Sequence, residues 1–143
     1  MKRTPNKTTV LNLQKKETNW HLIDAKDQIL GKIAVKITDV LVGKDKAEYL
    51  PNQNWGDKVV VINTEQIDVT GKKMTDKIYY HNTLFPKGLR SENLQTLLKR
   101  KPEEVLKKAI YGMLPKNKLR KERMANLYIY VGDKHPHQAQ LVK

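Results

Sequence analysis

The sequence predicts a single compact α/β domain built on a mostly parallel sheet, and three observations carry that expectation. Val59-Val60-Val61-Ile62 is an unbroken β-branched run, which suits a strand buried on both faces. Ahead of it, Leu30, Ile33, Ala34, Ile37 and Leu41 recur at helical spacing and lay one apolar stripe along a helix. Before that helix, Trp20, Leu22 and Ile23 mark a short strand, so strand, helix and strand form a βαβ unit, for which a right-handed crossover is expected.

Residues 1–19 are polar and basic, with Lys2, Arg3, Lys7, Lys15 and Lys16, and Val10, Leu11 and Leu13 as the only apolar cluster. They read as a basic N-terminal arm. The stretch lacks the apolar core of a secretory signal and is Lys-rich where a mitochondrial transit peptide is Arg-rich. The domain proper is expected over residues 20–143. Its first strand ends at Asp24, Asp27 is placed to cap the first helix, and Gly43 is placed to stop it. Pro51, Asn52, Asn54 and Gly56 make residues 44–57 a loop. Residues 67–69 are read as a further short strand before a turn at Gly71, and residues 77–82 as another, centred on Ile78, Tyr79 and Tyr80.

Phe85-Pro86-Lys87-Gly88 reads as a loop, and Ser91 as the cap of a short helix with Leu94, Leu97 and Leu98 inward. Lys99, Arg100 and Lys101 close that helix where cations suit its dipole. Pro102 opens the next one, with Glu103 and Glu104 in the first turn and Val105, Leu106, Ala109, Ile110 and Met113 as its buried stripe. Pro115 ends it. A last strand over residues 127–131 stops at Gly132, and a short polar tail follows from Asp133.

The 143 residues include 28 Lys and Arg against 15 Asp and Glu, a formal net charge of +13. Self-repulsion of that size opposes folding, so the excess is read as complementarity to a polyanion: nucleic acid first, an acidic membrane surface second. The imbalance is lopsided. Residues 1–70 carry 11 basic and 9 acidic side chains, and residues 71–143 carry 17 and 6. The absence of cysteine excludes disulfides and thiolate metal sites. No apolar run approaches the roughly 20 residues that span a bilayer.

Motifs for small-molecule chemistry are weak. The connection over residues 24–31 holds one glycine, too few to cradle a pyrophosphate, and Gly43-Lys44 has neither the glycine spacing nor the hydroxyl of a phosphate-binding loop. His135-Pro136-His137 offers two imidazoles, short of the four ligands structural zinc takes, and reads as a polar tail touching phosphate or protein. His81 beside Tyr79 and Tyr80 has no local Ser or carboxylate to complete a triad. The strongest signal is the cation run Lys99, Arg100, Lys101, Lys107, Lys108, Lys116, Lys118, Arg120, Lys121 and Arg123, opposed only by Glu103, Glu104 and Glu122. A solvated helix face would interleave Glu with Lys, and past Pro115 that balance is lost, so phosphate contact through counterion release is the favoured reading.

Several segments then carry a resemblance: Trp20-His21-Leu22-Ile23-Asp24-Ala25, Leu30-Gly31-Lys32-Ile33-Ala34, Gly43-Lys44-Asp45-Lys46-Ala47-Glu48-Tyr49 and Gly56-Asp57-Lys58-Val59-Val60-Val61-Ile62-Asn63. Val69-Thr70-Gly71-Lys72-Lys73, Lys77-Ile78-Tyr79-Tyr80-His81, Gly112-Met113-Leu114-Pro115-Lys116-Asn117-Lys118-Leu119, Tyr130-Val131-Gly132 and His135-Pro136-His137-Gln138-Ala139-Gln140 follow in order. Together they resemble the bacterial large-subunit ribosomal protein L-thirteen family over nearly the full length. The resemblance implies a mostly parallel four-stranded sheet with helices on both faces. It also implies binding to large-subunit ribosomal RNA early in assembly, beside neighbouring large-subunit ribosomal proteins in the cytoplasm. No catalytic residue, cofactor, metal, membrane or small-molecule substrate is implied. Arg120-Lys121 stands where the family usually has Gly-Arg, and Thr83-Leu84-Phe85-Pro86-Lys87-Gly88 where a glycine-rich loop is common.

The expected RNA contacts are Lys44, Lys46, Lys72, Lys73, Lys116, Lys118, Arg120, Lys121 and Arg123, with His135 and His137. An RNA-acting enzyme is the rival reading, and Asp24, Asp57 and His81 are its candidates. A DNA-binding regulator would need a helix-turn-helix or zinc module, and neither is legible.

Overall fold

The computed structural model describes residues 18–141, so the expected arm falls almost wholly outside the described residues. Strand β1 (Trp20–Asp24), helix α1 (Leu30–Val42) and strand β2 (Lys58–Ile62) form the βαβ unit. β2 pairs in parallel with β1 on one side and with β5 (Leu127–Ile129) on the other, giving the order β1-β2-β5. The central position of β2 explains its composition, since Val59, Val60 and Val61 are all fully buried.

The two faces are covered differently. Val59 and Val61 point into the main core with Leu30, Ile33, Ile37 and Leu41 of α1. Leu94 and Leu97 of α3 (Leu94–Arg100) and Val105, Leu106 and Ile110 of α4 (Pro102–Met113) join them. Val60 points the other way, on the face that the register gives to Trp20, Leu22 and Tyr128. There the cover is the C-terminal segment: His137 lies 5.1 Å from the Trp20 ring and 4.5 Å from the Tyr128 ring, centroid to centroid, and α6 (Gln138–Leu141) packs on β1.

The four-stranded parallel sheet is corrected by this topology: the parallel sheet has three strands, and a separate two-stranded antiparallel sheet stands beside it. Residues 77–82 do form a strand, β3 (Ile78–Asn82), but it pairs with β4 (Leu89–Asn93) as a hairpin. β4 replaces the helix cap expected at Ser91. Leu-Arg-Ser-Glu-Asn has no β-branched residue, so its extended form comes from pairing with β3, and Asn93 precedes the helix instead. Residues 67–69 form only an isolated bridge, Ile29 to Asp68. That bridge displaces Asp27 from its expected capping role. The Leu30 N–H donates to the Asp68 carbonyl at 2.8 Å, so a tertiary acceptor serves the helix start while Asp27 takes a turn at φ 54°. Met113, expected in the buried stripe, is 43% exposed at the last turn of α4.

Two further elements lie in the polar stretches: the short helices α2 (Lys73–Asp76) and α5 (Leu119–Ala125). The loop after α1 closes tightly on the helix. Gly43 adopts φ 79° and ends α1, and a Cβ on Gly56 would sit 1.8 Å from the Leu41 carbonyl oxygen. Backbone cannot yield as a flexible side chain does, so Gly56→Ala is expected to cost about 1–3 kcal/mol through overpacking. Gly31→Ala, with open space around its Cβ, should gain up to about 1 kcal/mol. Urea denaturation of both variants checks the pair, and equal stabilities would reject the close-approach account of Gly56.

Candidate nucleic-acid interface

α4 and α5 position the densest part of the predicted cation set. α4 presents Lys107 and Tyr111 one turn apart on an exposed face. Leu114 and Pro115 end the helix, and the chain turns so that Lys116, Asn117 and Lys118 lead into α5. Lys107, Tyr111, Lys116, Lys118, Arg120 and Lys121 thereby line one open groove of about 470 Å³, floored by Met124. The Arg120 guanidinium lies 4.4 Å from the centre of the Tyr111 ring, and its Nε and Nη2 donate to the carbonyls of Pro115 and Leu114 at 3.3 and 3.4 Å. Arg120 is therefore held in place, leaving Lys107, Lys116, Lys118 and Lys121 exposed around it, with no ion-pair partner among the described residues.

A second groove, of about 390 Å³, lies on the other flank of α4. Lys73, Lys77 and Lys108 rim it, and Leu30, Val69, Leu94 and Met113 form its apolar wall. Lys107 lines the first groove and its sequence neighbour Lys108 the second, so the basic surface runs from α2 across α4 to α5. Lys72 is exposed at the start of α2, on that side.

Other predicted residues are placed elsewhere. Lys44 is exposed at the end of α1 and pairs with Asp39 at 2.9 Å. Lys46 is mostly covered and its Nζ bonds Asp57, which is 3% exposed. The opposite Asp57 oxygen meets His21 Nε2 at 2.9 Å, and the Asn19 backbone N–H donates at 3.1 Å. Arg123 is 1% exposed on the inner side of α5, where Nη2 donates to the Gln53 carbonyl at 3.3 Å. Its expected phosphate contact is not compatible with that burial, because a guanidinium closed off from solvent cannot reach a phosphate. His137 is engaged with Tyr130 at 3.0 Å, as well as with Trp20 and Tyr128, and His135 Nδ1 accepts from the His137 backbone N–H at 3.2 Å. The histidine pair thus fastens the tail to the sheet.

The enzyme candidates do not converge. Asp24 ends β1 while Asp57 precedes β2, and the parallel register separates them by the length of a strand, about 15 Å. The Lys26 backbone N–H and the Asn63 amide hold the Asp24 carboxyl below the usual range, which leaves it a poor acid. His81 sits out on the β3–β4 hairpin.

Sequence reasoning missed Tyr111 as the platform for Arg120, and Lys107, Lys108 and Lys77 are not among the RNA contacts it expects. The signal for Tyr111 was the i, i+4 spacing from Lys107 on a helix already expected there.

Burial pushes the Asp57 carboxyl up, yet the bonds from Lys46, His21 and the Asn19 N–H outweigh it and hold the group below the usual carboxylate range. A depressed folded-state pKa contributes stability that is present above the unfolded value, near 3.9, and is lost as pH falls through the folded value. Asp57→Asn should cost about 3 kcal/mol at pH 7, since it strands one partner of a largely buried ion pair. The gap between wild type and variant should narrow below about pH 4. Denaturant titrations at pH 7 and pH 3 measure it, and a gap that stays constant would remove the ionised cluster as the cause.

Comparison with known proteins gives a consistent result. The family model described as Ribosomal protein L13 matches residues 18–136. A protein of Pelobacter propionicus named large ribosomal subunit protein uL13 is 45% identical over 96% of both chains. Its namesake in Geobacter sulfurreducens is 44% identical over 95% of both. One from Spiroplasma citri is 42% identical over 93% of this chain and 91% of its own.

Proposed function

The chain belongs to the ribosomal protein L13 family, and from that premise we propose that it binds large-subunit ribosomal RNA through the basic surface flanking α4. Family membership makes it a structural, non-enzymatic protein of the large ribosomal subunit. The finer reading is that it engages the RNA early in assembly, sits beside neighbouring large-subunit proteins, and resides in cytoplasmic ribosomes. Residues 20–143 act as one RNA-binding body, with residues 1–19 as its arm.

The observation that supports this best is the groove of Lys107, Lys116, Lys118, Arg120 and Lys121 around Tyr111. None of these five cations has a carboxylate partner among the described residues, so phosphates can pair with them without breaking an existing ion pair. Each neutralised phosphate releases condensed counterions, which makes such binding strong and salt-dependent. A fixed helix-and-turn frame suits recognition of folded RNA by shape and phosphate position, with base edges secondary. Lys44, Lys72 and Lys73 extend the contact, Lys44 by exchanging Asp39 for phosphate. Lys46, His135 and His137 support it indirectly, through the loop and tail they secure.

Filter binding to transcribed large-subunit RNA across a potassium chloride series tests the groove. Reversing Lys116, Lys118 and Lys121 to Glu together should weaken binding and flatten the log–log salt slope by about 2 to 3. Unchanged affinity at moderate salt would sink the assignment. Arg123→Ala should behave oppositely, melting at lower temperature while keeping the wild-type slope. Sedimentation of lysate at low and high salt tests location: an integral component follows the large subunit at both, and loss at modest salt would demote it to a peripheral contact.

A further inference from the structure

We infer that the tip of the β3–β4 hairpin is a second RNA contact, at which Phe85 and Leu84 insert against unpaired bases while Lys87 meets a flanking phosphate. The inference rests on the ribosomal-RNA reading above but uses a different surface.

The hairpin carries the most exposed apolar groups among the described residues. Leu84 is 91% exposed, Phe85 76%, and Tyr80 and Leu89 66% each. The register aligns Tyr80 and Leu89 on one face with Ile78, because Leu89 pairs with Asn82 and Tyr80 with Ser91. The apolar surface is thus continuous from strand to tip. An exposed patch of this kind marks a contact site, since solvent alone gives no reason to keep it.

Charge selects the occupant. Residues 77–91 hold no Asp or Glu, and Lys87 stands exposed at the tip, while Lys77 lies over the Tyr79 ring at the root and Arg90, paired with His81, is on the inner face. A surface of aromatic and aliphatic groups with a lysine at its tip and no carboxylate matches RNA whose bases are splayed out, offering π-faces to Phe85 and Tyr80 and a phosphate to Lys87. A regular duplex offers no apolar face for Leu84 and Phe85. A protein partner usually meets a rim of both signs, which this tip lacks.

The backbone holds the tip in one shape. Leu84 and Lys87 occupy the left-handed region at φ 65° and 59°, where L side chains are rarely found. The Leu84 N–H donates to Asn82 Oδ1 at 2.9 Å, the Gly88 N–H to the Phe85 carbonyl at 2.9 Å, and the Thr83 N–H to the Gly88 carbonyl at 3.0 Å. Two strained residues persist because these bonds over-determine the turn, and the result leaves the Leu84 and Phe85 side chains exposed.

The test uses the full chain and transcribed large-subunit RNA, with binding across a salt series and base-reactivity footprinting. Phe85→Ala is expected to weaken binding about 5- to 150-fold, the range for losing one base–aromatic stack, at an unchanged salt slope. Protection of a set of unpaired bases should vanish with it, and Phe85→Trp should restore both. Circular dichroism confirms that this exposed substitution leaves the fold intact. Wild-type binding that Phe85→Ala changes in neither affinity nor footprint would overturn this proposal alone. Failure of the wild type to bind would overturn the ribosomal-RNA reading together with it. A variant that binds RNA normally yet no longer sediments with assembled subunits would hand the tip to a protein partner, which also overturns the proposal.

Discussion

The structure depends on keeping one strand dry from both sides. β2 has its neighbours β1 and β5 on its two edges and fully buried valines on both faces, so the sheet needs two covers. One cover is conventional: α1, α3 and α4 supply a stripe of Leu, Ile and Val against Val59 and Val61. The other is made late in the chain, where Tyr128 stacks on Trp20 with ring centroids 5.5 Å apart and His137 closes over both. Tyr130 ties that imidazole down. The C-terminal segment is therefore part of the fold, and the histidine pair that looks like a binding motif in the sequence is occupied in holding it.

With the core settled by apolar contacts, the carboxylates are left to organise loops, and this decides which cations remain available. Asp57 takes Lys46 and His21 at the amino end of the sheet. Glu92 takes Arg100 through two bonds, at 3.1 and 2.6 Å, and clamps β4 to α3. Glu104 is shared between Lys101 and Lys108, and Asp39 holds Lys44. The lysines around the α5 groove are left over from this distribution. Their mutual repulsion opposes folding, and a polyanion partner relieves it, so the cost in the free protein and the affinity for RNA have the same origin.

What the sequence made legible follows the same division. The stripe of α1, the β-branched run of β2 and the proline-led α4 depend on burial, and burial leaves a periodic trace. The supports that are not periodic were harder to read. β4 exists because β3 offers it a partner, and its own residues favour no strand. α5 is built from Leu, Arg, Lys, Glu, Met and Ala, all good helix formers, but its charges drew the reading toward phosphate contact and away from structure. The same emphasis put Arg123 on the surface. In a run of cations on a helix, the residue facing inward is set by helical phase against Leu119 and Met124, which a count of charges does not show. The basic surface was legible as a population of residues, and only the fold sorted it into groove-lining, paired and buried members.

The hairpin shows how a marginal element becomes a dependable one. Two strands alone are barely stable in water, and β3 and β4 make up the whole of their sheet. Three attachments compensate at the root. The Leu94 N–H donates to the Lys77 carbonyl at 2.9 Å, Glu92 is clamped by Arg100, and Lys108 of α4 lies 4.9 Å over the ring of Tyr79. Tyr79 is the inward member of its strand, and burial pushes its phenol up, as expected for a ring packed against the body. These ties all act on the inner face or at the base, which leaves Tyr80, Leu89 and the tip uncommitted. An element fastened on one side only is positioned by the domain while its other side stays open to a partner. That asymmetry, and not the composition of the loop, is what makes the exposed apolar tip a presented surface.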